Sequence, residues 1–85
     1  MYGTRHPLTH EFPEYSGEIS KLKTNNATFA RLLSKYHQTD KKIYGYEQQM
    51  QPVADNYMEQ LKRWRVHLKD QLYNILRRNG KEQAT

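Results

Sequence analysis

The side chains with the greatest chemical reach in this sequence are two histidine–aspartate pairs of identical spacing, His37-x-x-Asp40 and His67-x-x-Asp70. Imidazole nitrogen and carboxylate oxygen are ordinary transition-metal ligands. Two such pairs on facing helices would supply the four inward-projecting groups of a metal-binding bundle. His6 and His10 add a further pair at helical spacing. Helix geometry argues against convergence of the main set. At about 100° per residue, a helix that turns Leu68 towards a partner holds Asp70 near its far side and His67 on its flank. Pro7 interrupts the N-terminal pair and no other ligand stands near it. The expectation is no metal and no cofactor.

Other chemistries have less to stand on. The chain has no cysteine, which excludes disulfides, thiolate metal sites and a cysteine nucleophile, and suits a reducing compartment. Ser16, Ser20 and Ser34 read as ordinary surface residues, and the four glycines are scattered rather than gathered into a phosphate-cradling loop. Catalysis needs a nucleophile, a base and an orienting group in a cleft that excludes water. A thin fold of 85 residues offers no such cleft, so we expect neither an enzyme nor a small-molecule substrate.

The elements that would position these groups are helices. Leu61, Trp64, Leu68, Leu72 and Ile75 recur at steps of three and four, and Arg77-Arg78-Asn79-Gly80 follows as a stop signal. Phe29, Leu32, Tyr36, Thr39, Ile43, Tyr46 and Met50 alternate the same steps, with Asn26 placed to cap the helix they define. Between these stripes, Pro52 cannot continue a helix, and Asp55 or Asn56 can start the next. Phe12-Pro13-Glu14-Tyr15 opens a shorter helix whose stripe is Tyr15, Ile19 and Leu22.

The expected fold is therefore all-α: a long antiparallel helical hairpin, coiled-coil-like, over residues 26–50 and 56–79, with a short N-terminal helix over 13–23 packed near Phe29 and Ile75. Residues whose numbers sum to about 106 then face each other, setting Phe29 near Leu76, Leu32 near Leu72, Tyr36 near Leu68, and Trp64 opposite Thr39. In domain terms, residues 1–11 form a flexible leader, 12–79 a single helical domain and 80–85 a flexible tail. No apolar run approaches the ~18 residues of a membrane span and the N-terminus lacks a signal peptide's hydrophobic region, so the expected location is the cytoplasm.

Asp40 has a better use than metal binding. It flanks the seam, Arg65 occupies the corresponding flank of the other arm, and an antiparallel pair brings like flanks together. Asp40 and Arg65 are expected to form a register-setting salt bridge, partly exposed and contributing about 0.2 to 1 kcal/mol.

These residues also resemble a known family. Phe12-Pro13-Glu14-Tyr15, Ile19-Ser20-Lys21-Leu22-Lys23, Phe29 with Leu32, Asp40 with Ile43, and Leu68-Lys69-Asp70 with Ile75-Leu76 resemble the YdcH-like family of small bacterial helical-hairpin proteins of unknown function. The resemblance spans about residues 12–76 and implies a hairpin fold; none of its blocks is a catalytic motif. Ala27 stands where relatives often have proline, Tyr36-His37 where they often carry His-Asn, and Thr39 where leucine is usual. Any role of the family histidine does not carry over to Tyr36.

What remains for function is the outward surface. The net charge of +5 and pI of about 9.6 permit attraction to nucleic acid, and Lys62, Lys69 and Arg77 share a face with Val66 and Tyr73, while Arg31, Lys35 and Lys42 form a second stripe. Glu59 and Asp70 interrupt the first face, and no nucleic-acid-binding signature is present. Tyr44, Tyr73, Val66, Leu33 and Leu76 could form a second apolar strip outside the seam, of the kind that meets a subunit or partner. The expected function is a non-catalytic interaction or adaptor module that binds another protein, or a second copy, through Tyr44, Lys62, Val66, Lys69 and Tyr73. Nucleic-acid binding through the basic faces is the alternative.

Overall fold

A computed structural model describes the backbone of residues 7–49 and 54–83, and the side chains of 7–48 and 54–79. Every element among the described residues is helical. A single turn, α1 (Leu8–Glu11), leads into a 3-10 turn at Pro13–Tyr15, followed by α2 (Ser16–Asn25), α3 (Ala27–Gln49) and α4 (Asp55–Gln83). α3 packs along α4, and α2 lies on α3 and touches α4, giving a rod of 50 × 20 × 18 Å. The all-α hairpin with a short N-terminal helix is the fold expected from the periodicity.

Local chemistry explains most boundaries. Pro13, with its fixed φ and no N–H to satisfy, opens the 3-10 turn that feeds α2. α2 gives way to α3 at Asn26, whose backbone is extended; its side-chain Oδ1 accepts the Phe29 N–H at 3.0 Å and caps α3. α4 starts at Asp55, where the Ala54 carbonyl accepts the Tyr57 and Met58 N–H groups at 3.0 and 3.1 Å and the carboxylate suits the positive helix end.

Three expectations are corrected. Gly80 does not stop α4, which runs to Gln83: glycine costs only about 1 kcal/mol inside a helix, and Lys81-Glu82-Gln83 are good helix formers. The expected tail over residues 80–83 is thus helical in its backbone. Residues 7–11 are docked rather than a mobile leader, because Leu8 is 1% exposed and belongs to the core. Trp64 is not a seam residue; it is 46% exposed and stacks on His67 with ring centroids 5.4 Å apart. His6, Met50 and Pro52, on which parts of the leader, seam and turn expectations rest, lie outside the described residues.

The Trp64 correction has a single geometric cause. The buried positions of α4 are Leu68, Leu72 and Leu76, with Arg65 turned inward, rather than Leu61, Trp64, Leu68, Leu72 and Ile75. At 100° per residue that is a rotation of roughly 45°. On α3, Leu33 is buried at 4% exposure while Leu32 is half-buried. Both helices turn because the N-terminal segment adds a third layer: Leu8 and Ile19 join Phe29, Leu33, Tyr36, Leu68, Leu72 and Leu76 in one cluster, and Phe12, Tyr15, Leu22, Leu32 and Ile75 pack against it. Burying Leu33 and Leu76 under that layer removes about 1.5–3 kcal/mol worth of apolar surface each from water, which outweighs keeping Trp64 in the seam.

Candidate functional site

The hairpin is divided by a polar layer. Asp40 is completely buried, and its Oδ1 accepts from Arg65 Nη1 at 2.9 Å, with the Arg65 side chain 21% exposed. The pairing is the one expected from register, but its environment is not: the acid lies inside rather than on the flank. Burial changes what a one-sided substitution does: removing Arg65 alone strands a charge at a cost of about 3–5 kcal/mol. That figure is the cost of breaking the pair from the arginine side and not its net contribution to stability. Thr39, 7% exposed, returns its hydroxyl to the Lys35 carbonyl at 2.9 Å and so adds no unsatisfied group to the layer.

Tyr36 lies one turn away, 1% exposed. Burial raises its phenol above the usual tyrosine range, and the negative charges of Glu11 and Asp40 push the same way against Arg65. The phenol stays neutral at any physiological pH. Among the described residues, no buried side-chain nitrogen or oxygen lacks a hydrogen-bond partner. The layer is thus a satisfied structural network rather than an open reactive centre.

The N-terminal segment closes one side of this layer. Glu11 pairs with Lys69 at 3.1 Å, and the Leu8 N–H points at His37 Nε2 at 3.4 Å. The Phe12 and Tyr15 rings meet Tyr73 at 5.1 and 6.2 Å, and Arg77 sits 6.0 Å from the Tyr73 centroid on the same helix. Of the four chemically capable residues, His37 and Asp40 are drawn into these contacts, whereas His67 and Asp70 are exposed on α4. Among the described residues, no three His, Cys, Asp or Glu side chains come together as a metal cage.

The residues expected to bind a partner separate into two groups. Lys69 and Tyr73 are engaged within the chain by Glu11, Phe12 and Tyr15. Lys62 is about half-exposed and reaches Glu47 on α3 at 3.8 Å, Val66 is 49% exposed, and Tyr44 is partly buried on α3. Val66, Lys62, Lys69 and Tyr73 share one face of α4, and that face is covered over its C-terminal part and open towards Asp55. The open part forms a shallow surface lined by Asp55, Met58, Glu59, Lys62, Arg63 and Val66. Of its lining residues, Lys62 and Val66 are among those expected from the sequence to meet a partner, Glu59 reads in the sequence as interrupting their face, and Met58 is not singled out there; the period i, i+3, i+4, i+7, i+8, i+11 from Asp55 places all six on one side of the helix.

No helix among the described residues is long and apolar enough to cross a membrane. No curated protein and no solved structure matches the chain. A family profile described as "Protein of unknown function (DUF465)" matches residues 29–76, from the first buried residue of α3 to the last of α4. With more than half of its length matched, and in keeping with the YdcH-like resemblance, the chain belongs to this family of small proteins of unknown function.

Proposed function

We propose that this protein is a non-catalytic cytoplasmic interaction module that presents the Asp55–Val66 face of α4 to another protein. The carrying observation is the contrast along one helix face. Its Lys69–Tyr73 portion is covered by the chain's own N-terminal segment, while Val66 and its neighbours towards Asp55 remain open, Val66 at 49% exposure. An aliphatic side chain standing among interspersed charges is what a small protein-binding surface requires: an apolar anchor and a polar rim.

The test is site-specific photo-crosslinking in native cytoplasm, with the reactive group at Val66 and a control at exposed Gln60 on the other side of α4. Discrete protein adducts from position 66 and none from position 60 are expected. Equal labelling at both positions, or none at either, rejects this face.

Nucleic-acid binding has less support, because Lys69 is held by Glu11 and partly buried, while Lys62 and Arg77, though exposed, stand beside Glu47 and the Tyr73 ring; Arg31, Lys35 and Lys42 form a further exposed basic stripe on α3. Titration with single-stranded and duplex oligonucleotides at two salt concentrations separates the readings, since phosphate-driven affinity falls steeply with salt.

A further inference from the structure

The open α4 face has an order of charge that points to its occupant. Asp55 and Glu59 lie at its N-terminal end, Lys62 and Arg63 beyond them, with Met58 and Val66 as its apolar members. These four charges cancel, so the stripe adds no repulsion of its own to that between copies of a chain with a net charge of +5. A stripe that is acidic at one end and basic at the other is complementary to itself when inverted.

We propose, resting on the reading that this face is the binding surface, that its partner is a second copy of this chain, packed α4 against α4 in antiparallel orientation about a two-fold axis at the level of residue 61. That axis sets Glu59 of each copy beside Arg63 of the other, a contact made twice by symmetry. It also lays Met58 between Lys62 and Val66 of the opposite copy, and Val66 between its Asp55 and Met58. A parallel arrangement would stack acid on acid and base on base.

Two further features favour this partner. Within one chain Glu59 and Arg63 already pair at i, i+4, but with side chains 60% and 78% exposed, so exchanging that bond for one across the axis forfeits little. The apolar cluster also stops at the Asp40–Arg65 layer: towards the turn, Ile43 is the one buried hydrophobic residue among those described, and Val66 is the exposed large hydrophobic on this face, since Tyr57 and Trp64 stand on the opposite flank of α4. The distal arm is two helices thick, and two arms side by side make the four-helix cross-section that buries a core.

The test combines mass and charge reversal. Sedimentation equilibrium of the full chain up to ~1 mM, where small interfaces associate, should show a monomer–dimer equilibrium. Glu59→Lys and Arg63→Glu should each lower the association constant about tenfold, a like-charge contact made twice, and keep the helical circular dichroism of the parent. Mixing the two variants in equal amounts should restore dimerisation, because each supplies the charge the other has lost. A parent that remains monomeric, or a mixture no better than either variant alone, overturns the antiparallel dimer. A monomeric parent that still gives position-66 adducts with another protein overturns the second-copy partner and leaves the interaction reading standing. A monomer without adducts overturns both.

Discussion

Replacing Arg65 by methionine removes the guanidinium while keeping most of the aliphatic stem, and leaves the Asp40 carboxylate at zero exposure without the cation that now lies 2.9 Å from it. Stranding a buried charge costs about 3–5 kcal/mol, and the 21% exposure of Arg65 admits some water to its site, which places Arg65→Met near the lower figure, about 3 kcal/mol. Asp40→Asn is the gentler change. It abolishes the buried charge, and a partly exposed arginine can turn its head group to solvent, so the loss is about 1 kcal/mol, one charge-assisted hydrogen bond weakened. The double variant should lose little more than Asp40→Asn alone, which makes the coupling energy about 3 kcal/mol. Urea unfolding followed by circular dichroism at constant m-value measures all four corners. For a domain of this size 1 kcal/mol corresponds to about 4–8 °C in Tm, so Arg65→Met should melt at least about 12 °C below the parent. Equal losses from the two single changes, or additive losses in the double variant, would refute the claim that Arg65 neutralises a buried Asp40.

Leu8→Ala should destabilise the fold by about 2 kcal/mol or more and speed amide exchange over residues 11–15, whereas a mobile leader would leave urea midpoint and exchange unchanged. Gly45 lies inside α3 with nothing within 4 Å of a built Cβ, so Gly45→Ala should stabilise by about 0.5–1 kcal/mol, read as a higher urea midpoint. Tyr36 has a folded-state pKa above its unfolded value of 10.0, so the neutral phenol contributes stability that is fully present below pH 10 and is lost as the pH rises past it. Between about pH 10 and 12 the parent should lose up to ~1.4 kcal/mol per pH unit more than Tyr36→Phe, and parallel stability curves for the two would contradict this.

Much of the architecture was legible from local pattern. The three-and-four stripes gave two long helices of similar length, Asn26 gave the cap between α2 and α3, and Pro13 gave the start of the N-terminal helical segment; each is a short-range backbone effect that any tertiary context must respect. Asp40 and Arg65 could be paired because antiparallel register is fixed once the turn is placed. Periodicity says which residues share a face, but not how wide a face is buried or what else lies on it.

That second question belonged to the tertiary structure. α3 and α4 each carry apolar residues over an arc wider than a two-helix seam, Leu32 beside Leu33 and Ile75 beside Leu76, and the choice within each arc depended on a third layer contributed by residues far away in sequence. Leu8, read alone, has no helical period to announce its burial, yet docking it and Ile19 rotated the seam, exposed Trp64 and sank Asp40 into the interior. The same layer covered Lys69 and Tyr73 and left Val66 open, which divides that face of α4 into a covered and an exposed part. Helix formation is written in neighbours three and four residues apart; which side of each helix meets solvent was settled by contacts between segments some sixty residues apart, such as Glu11 with Lys69.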